Sequence, residues 1–409
     1  MTTDLDNPKE ILDRILSGAV PHDISHWLER LRSAQPATYS ETYGGWYFAR
    51  YHEVNELLRA KQFHMATAHY LAPQHPKYEQ SHWMQSLKNL FTFMLPDDHL
   101  RVRKLVTKAL SPQIVRAHRP MILEAIDRAL DEVAGHAEFD FHDAVSRKVP
   151  GLVMFGLMGV PFGDVEQCLA WTEAMAAASD PVITDAQLKA VDDATKDFAD
   201  YVHELTERRR TKPGEDIISG LIRAEQEDGR LTRDEFYGTV ISLIVGGISL
   251  TQGLLSSGVS ALLQNPAELA KLLDNPDLAP AVTEETLRYQ TPLQLSFARI
   301  ATDDLVVGDQ AVKRGEICYG MLGAANFDPE VFEDPHRFRI DRPSQPSHLG
   351  LGAGMHFCVG AALGRAEGEV AFRRIFERMP DLELVEDPPP WRDGFMVRQQ
   401  TRCLVRQRH

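Results

Sequence analysis

Cysteine is scarce in this chain: Cys168, Cys318, Cys358 and Cys403 are the only four among 409 residues. No two are spaced as a CxxC pair or a zinc-ligand set. That argues against a disulfide scaffold or a structural zinc site and leaves room for one chemically active cysteine. Basic charge is also short. Lys and Arg total 44 against 59 Asp and Glu, a formal net charge of −15, so the positive field that nucleic acid requires of a general partner is missing. No run of about 20 apolar residues is found, and no transmembrane helix is expected. The first residues, with Asp4, Asp6, Lys9 and Glu10, hold no apolar signal-peptide core. Repeats and low-complexity linkers are lacking too. The expectation is a cytoplasmic protein. The remaining composition, 43% hydrophobic and 25% charged, suits a long chain with a large core.

Up to about Leu287 the pattern is helical. Residues 101–110, 119–134, 186–210 and 233–263 carry helical periodicity or helical length. Strand signals are short, at 45–48, 305–307 and 382–384. Pro and Gly gather over 328–360 and 388–390, marking ordered loops. This reads as one mainly α domain over 1–409 with small β-sheets at its periphery. Within it, 236–263 is apolar nearly all round, which predicts a buried central helix. Gly246 and Gly247 interrupt that helix at a cost of roughly 1 kcal/mol each against alanine. Glycines there serve close helix packing, or let another group approach the backbone.

The strongest chemical signal is Gly352-Ala353-Gly354-Met355-His356-Phe357-Cys358-Val359-Gly360. Its glycines suit a tight loop pressed against a flat object. Ala361 onward reads as helix, so Cys358 stands just before a helix N-terminus, where backbone N–H groups stabilise a thiolate. A thiolate donates strongly to iron, and hydrogen bonds to its sulfur tune that donation. Two further signals are weak alone. Glu285 and Arg288 lie three apart on one helical face and can pair. His99 and Arg103 share a face four apart, on a helix that Asp97 or Asp98 can cap, and arginine suits carboxylate ligands.

Together these segments resemble the cytochrome P450 family, from about residue 95 to 360. The loop around Cys358 is similar to the family's cysteine-ligand loop, with Leu351 where a phenylalanine is usual. Glu285-Thr286-Leu287-Arg288 resembles its Glu-x-x-Arg motif, and Pro335-His336-Arg337-Phe338 its second-arginine loop, which implies a Glu285–Arg288–Arg337 network. The resemblance implies a single-domain fold holding haem b between the central helix and the cysteine loop. Cys358 is then the axial metal ligand, and His99, Arg103, Arg299 and His356 are the propionate-binding positions. Phe327 stands where the family usually has arginine.

The central helix departs further. The family usually reads Ala-Gly-x-acid-Thr-Thr; this chain reads Gly246-Gly247-Ile248-Ser249-Leu250-Thr251. Leu250 falls as far before Glu285 as the family's bacterial threonine does, and Asn265-Pro266 falls at the family's helix end. The register holds, so the acid–alcohol pair is missing, and Thr251, about 100° round the helix, is expected to face away from the iron. Substrate walls are implied at 65–93, 175–183, 293–297 and 395–396, with Phe91, Phe93, Leu293, Leu295 and Phe297 as an apolar part.

The resemblance implies a monooxygenase that inserts one atom of O2 into a small organic molecule. Departures at Ser249 and Leu250 raise two alternatives: peroxide-driven or radical-coupling chemistry on the same haem, and a non-catalytic haem binder. Beyond Cys358 the sequence runs only to His409, so external electron donors are implied, a ferredoxin or a flavodoxin with its reductase. Lys104, Lys108, Arg365, Arg373 and Arg374 are candidates for a basic docking patch.

Overall fold

The computed structural model describes residues 7–19, 24–176, 178, 184–228, 231–343 and 345–407. Helices form most of it. The Arg233–Gln264 helix, 32 residues long, runs through the middle. Thr232 caps it: its hydroxyl accepts from the Glu235 N–H, and Glu235 Oε2 accepts from the Thr232 N–H at 2.8 Å. That reciprocal box satisfies two otherwise orphaned donors. The helix stops at Asn265, and Pro266 opens the next one, because proline cannot continue a helix but fits its first turn. Helices Lys148–Met158, Val165–Ala176, Ala279–Tyr289 and Ala361–Arg378 pack around it.

By length and hydropathy this central helix is enough to cross a membrane, which corrects the expectation that no such segment exists. It is covered by its neighbours: Phe236, Val240, Ile248, Leu255, Val259 and Leu262 are fully buried.

The strand signals at 45–48, 305–307 and 382–384 form strands, the first over Trp46–Phe48, and the sheets hold others that sequence did not indicate. The largest sheet has the order Ala37–Tyr39, Trp46–Phe48, Ile317–Gly320, Arg299–Ala301, Phe63–Met65, with only the Trp46–Phe48 to Ile317–Gly320 pair parallel. It matters for the site because it fixes Arg299, opposite Cys318 on one side and Met65 on the other. Two smaller sheets lie elsewhere, one of three strands and one of two.

The buried ion-pair network differs from the expectation. Glu285 accepts from Arg288 Nε and Nη2, each at 2.8 Å, as foreseen. The second arginine is Arg342, whose Nε donates to Glu285 Oε1 at 3.0 Å. Arg337 contributes only its backbone carbonyl, which accepts from Arg342 Nη2 at 2.6 Å, while its side chain is exposed. The turn at 334–337 points the Arg337 side chain to solvent and leaves the carbonyl inward. Phe327 has a packing role here: the Arg288 guanidinium lies 5.5 Å from its ring centre, and His336 stacks on it at 5.1 Å.

Candidate active site

One cavity of about 280 Å³ lies at the middle of the fold, and five elements carry the side chains that matter most to it. They are the central helix, the helix Pro96–Ala109, the turns over 91–93, the strand Arg299–Ala301 and the loop from Gly350 to Gly360. Gly246, Gly247, Leu250, Thr251, His99, Arg103, Arg299, His356 and Cys358 all line it.

Cys358 lies between the turn Gly354–His356 and the helix starting at Ala361. Its N–H donates to the Leu351 carbonyl at 2.9 Å, which closes the loop on itself. Gly354 has φ +67, and a Cβ there would stand 2.4 Å from the carbonyl oxygen of Leu58. Only glycine fits that position. Burial pushes the Cys358 thiol up, while the Gly360 N–H, Arg103 and Arg365 pull it down. The other cysteines are fully buried, and burial raises each thiol to about 12. Cys358 alone reaches the cavity.

At the edge of the cavity four nitrogen-bearing side chains converge. Arg299 is 3% exposed, and burial lowers its pKa to about 10. Its Nε has no partner, and no acid among the described residues faces it. His356 Nδ1 is likewise unpartnered. Arg103 Nη2 donates to the Phe357 carbonyl at 2.6 Å. His99 is fully committed to backbone, with Nδ1 3.0 Å from the Phe91 carbonyl and Nε2 3.4 Å from that of Met355. A buried guanidinium without a counter-ion is costly, so this edge is built for an anionic group. The cavity thus fits haem: a sulfur donor on one wall, open space beside Gly246, and a cationic edge for two carboxylates.

His99 and Arg103 are carried by the helix Pro96–Ala109, whose cap is not Asp97 or Asp98 as expected. Leu95 precedes it and Pro96 occupies its first turn; the two aspartates sit within that turn and favour the helix dipole instead. On the same helix Arg101 donates to Glu235, the carboxylate that caps the central helix.

On the opposite wall Gly247 packs so closely that a Cβ would meet Met154 Cε at 2.2 Å, whereas Gly246 has open space. Leu250 lines the cavity and offers no hydrogen bond. Ser249 is buried but is not on the wall. Thr251, expected to face away from the iron, lines the cavity wall beside Leu250, and its hydroxyl donates to the Gly247 carbonyl at 3.0 Å. Met65, Phe91, Leu243, Leu293 and Phe297 supply apolar surface. Phe93 and Leu295 stand behind it: Phe93 packs edge-on against Phe297 at 5.0 Å, and Leu295 belongs to a separate core cluster. Residues 177 and 179–183 of the expected wall lie outside the described residues.

Thr92 and Ser296 line this wall within the expected segments 65–93 and 293–297, whereas the sequence did not indicate Ser242 or Glu367. Ser242 and Ser296 are engaged with backbone: Ser242 accepts from the Phe91 N–H at 2.9 Å and Ser296 from the Gly320 N–H at 2.8 Å. The candidate basic patch is partly neutralised. Arg365 pairs with Glu284, Arg373 with Asp277 and Glu377, and Arg374 with Asp127. Lys104 and Lys108 remain exposed, as do Leu100 on the same helix and Phe357.

The chain has close relatives of known kind. The family described as Cytochrome P450 matches residues 54–401. Cytochrome P450 107B1 of Saccharopolyspora erythraea is 38% identical over 313 residues, which cover 76% of this chain and 75% of that protein. The polyketide biosynthesis cytochrome P450 PksS of Bacillus subtilis is 35% identical over 303 residues, 74% of this chain and 73% of that one. The solved structure of P450BioI in complex with an acyl carrier protein ligated to hexadec-9Z-enoic acid matches with a TM-score of 0.89 at 30% identity, over 94% of this chain and 99% of that chain. The chain belongs to the cytochrome P450 family, oxidoreductases that carry haem b on a cysteine thiolate.

Proposed function

We propose that this protein is a cytoplasmic monooxygenase of specialised metabolism, one domain with Cys358 as its axial ligand. It inserts one oxygen atom of O2 into a largely apolar small molecule, and its electrons come from a ferredoxin or flavodoxin with a reductase. The observation that carries the reading is that Cys358 alone of four cysteines opens on the cavity, with the Gly360 N–H, Arg103 and Arg365 favouring its thiolate. When bound, the haem supplies the oxygen-activating redox chemistry.

The side chains divide the remaining work. Arg103, Arg299 and His356 hold the propionates, and His99 orients His356 by packing on it. Met65, Phe91, Leu243, Leu293 and Phe297 bind hydrocarbon and exclude water. Leu250 and Ser249 handle no proton at the reacting atoms, since one lacks a polar group and the other is off the wall. An ordered water held by a hydroxyl or carboxylate of the substrate fills that place, beside the Gly246-Gly247 groove. Thr92 is the wall hydroxyl for which the described residues offer no hydrogen-bond partner, and it anchors the substrate's polar group. The related structure solved with a carrier protein bearing hexadec-9Z-enoic acid supports a substrate with a long apolar part and a polar end, and the relative named for polyketide biosynthesis supports specialised metabolism. Lys104 and Lys108, on the cysteine side, steer an acidic electron carrier. Leu250 also favours a second reading, peroxide-driven oxidation on the same site.

The spectrum of the reduced, carbon-monoxide-bound protein tests the ligand. Cys358→His must abolish the thiolate-type band, while Cys168, Cys318 and Cys403 each tolerate serine. Survival of the band in Cys358→His would sink the assignment. Turnover with reduced ferredoxin against turnover with peroxide separates the two readings.

A further inference from the structure

Two arginines favour the thiolate of Cys358. Arg103 is assigned to the propionates, whereas Arg365 is left over. Arg365 stands in the second turn of the helix Ala361–Arg378 and lines the cavity together with Cys358. One carboxylate grips its guanidinium in a fork: Nε donates to Glu284 Oε1 at 2.7 Å, and Nη2 to Glu284 Oε2 at 2.9 Å. A bidentate pair of this kind fixes direction as well as distance. Glu284 is fixed in turn. It lies on the helix Ala279–Tyr289, and its Oε2 also accepts from His348 Nε2 at 3.3 Å. His348 is buried where the chain enters the cysteine loop. Its Nδ1 accepts from the Gly350 N–H at 3.1 Å, so Nε2 carries the ring proton. Gly350 presses on the Ala279–Tyr289 helix, since a Cβ there would stand 2.4 Å from the Leu287 carbonyl oxygen. The loop that carries the sulfur, the acid and the arginine beside the sulfur are thus tied into one closed unit.

We infer that the Glu284–Arg365 pair sets the reduction potential at Cys358, with Glu284 holding it down by cancelling the arginine charge. The inference rests on the reading of Cys358 as axial thiolate. A cation beside the sulfur favours the state that holds one more electron; a carboxylate on that cation offsets the effect. The electron comes singly from the external carrier, and no bond of these side chains breaks. Arg365 and Glu284 are 40% and 42% exposed, so solvent and salt weaken the effect without removing it.

Spectroscopic redox titration of the haem-loaded protein tests this, in the unmodified chain and in Glu284→Gln, Glu284→Asp, Arg365→Gln and the double variant Glu284→Gln/Arg365→Gln. Glu284→Gln leaves the arginine charge unopposed and should favour reduction by about tenfold, which is about 59 mV for a one-electron couple. Arg365→Gln leaves the carboxylate unopposed and should shift the potential the other way. The double variant lacks both charges and should return to within about twofold of the unmodified protein. Glu284→Asp keeps the charge and should leave the potential in place. High salt should shrink both single-variant shifts. A merely structural pair predicts otherwise: each single variant loosens the loop, the shifts share one sign, and the double variant recovers nothing. Shifts of one sign, or no shift, with a thiolate-type carbon monoxide spectrum overturn the inference. A carbon monoxide spectrum without thiolate character in the unmodified protein overturns the underlying reading instead. Should Arg365→Gln not retain haem, the contrast between Glu284→Gln and Glu284→Asp decides alone.

Discussion

The rings of His99 and His356 lie 4.2 Å apart, centroid to centroid, tilted by 39°. One comes from the helix Pro96–Ala109 and the other from the turn before Cys358, so their contact joins two walls of the cavity. Burial, then His99, Arg299 and Arg103, push the His356 pKa down to about 2. The imidazole is a neutral donor, and the two arginines carry the positive charge of this edge.

Arg299 should therefore act oppositely in the two forms of the protein. Without haem it is a buried cation lacking a counter-ion, and Arg299→Ala should leave the melting temperature unchanged or raise it. With haem, each lost charge-assisted hydrogen bond costs roughly 1.5–3 kcal/mol, so haem retention falls and the reduction potential shifts. Melting curves, haem content and redox titration of both forms check this. Equal behaviour with and without haem would count against the propionate role.

Arg342, rather than Arg337, should matter for folding. Glu285, Arg288 and Arg342 are 4%, 3% and 10% exposed. Removing Arg342 leaves Glu285 paired with Arg288 but deletes a buried charge-assisted hydrogen bond to Glu285 and the donors to the carbonyls of Asp334 and Arg337, with the charged bond alone worth roughly 1.5–3 kcal/mol. Arg342→Ala should lose that much in denaturant unfolding, while Arg337→Ala, which keeps its carbonyl, should stay within about 0.5 kcal/mol.

Glu284 gives a pH signature. Burial raises its pKa, but hydrogen bonds from His348 and Arg365 outweigh burial and bring it from 4.5 to about 2. A depressed carboxyl contributes stability above its unfolded value and loses it as pH falls through the folded one. The window is thus pH 4.5 down to about 2. Glu284→Gln should flatten the acid limb of stability there and nowhere above it, as read from melting temperature against pH. The carboxylate is partly open to solvent, so the change is modest.

Leu250→Thr should improve the coupling of electron use to product for surrogates that lack a polar group, and change the true reaction little. The general acid help at stake is worth roughly 100- to 10,000-fold in rate. Reductant consumed, peroxide released and product formed give the answer. Tight coupling in the unmodified enzyme with a pure hydrocarbon would rule out substrate-held water.

Legibility followed the range of the signal. The central helix and its end at Asn265 are written in local periodicity and proline chemistry, and Cys358 in a glycine loop just before a helix. Most strands went unseen because each has three or four residues, too few for alternation to register. Arg342 was missed because the choice between it and Arg337 depends on which way one turn faces. Glu367 was findable: a lone acid on an apolar stripe between Leu363 and Ala371 is a local anomaly. Thr92 and Ser296 lay within expected wall segments, but that their hydroxyls reach the wall, and that Ser242 does, is decided only by the closed cavity.

Gly246 and Gly247 are neighbours in the chain with opposite surroundings, open space beside one and Met154 against the other. A methyl group added at Gly246 enters the cavity and alters which molecules fit. The same methyl at Gly247 meets the terminal methyl of Met154, a flexible side chain that also lines the cavity and must turn aside. Adjacent codons on this helix therefore reshape the cavity by two routes, directly at Gly246 and through the displacement of Met154 at Gly247.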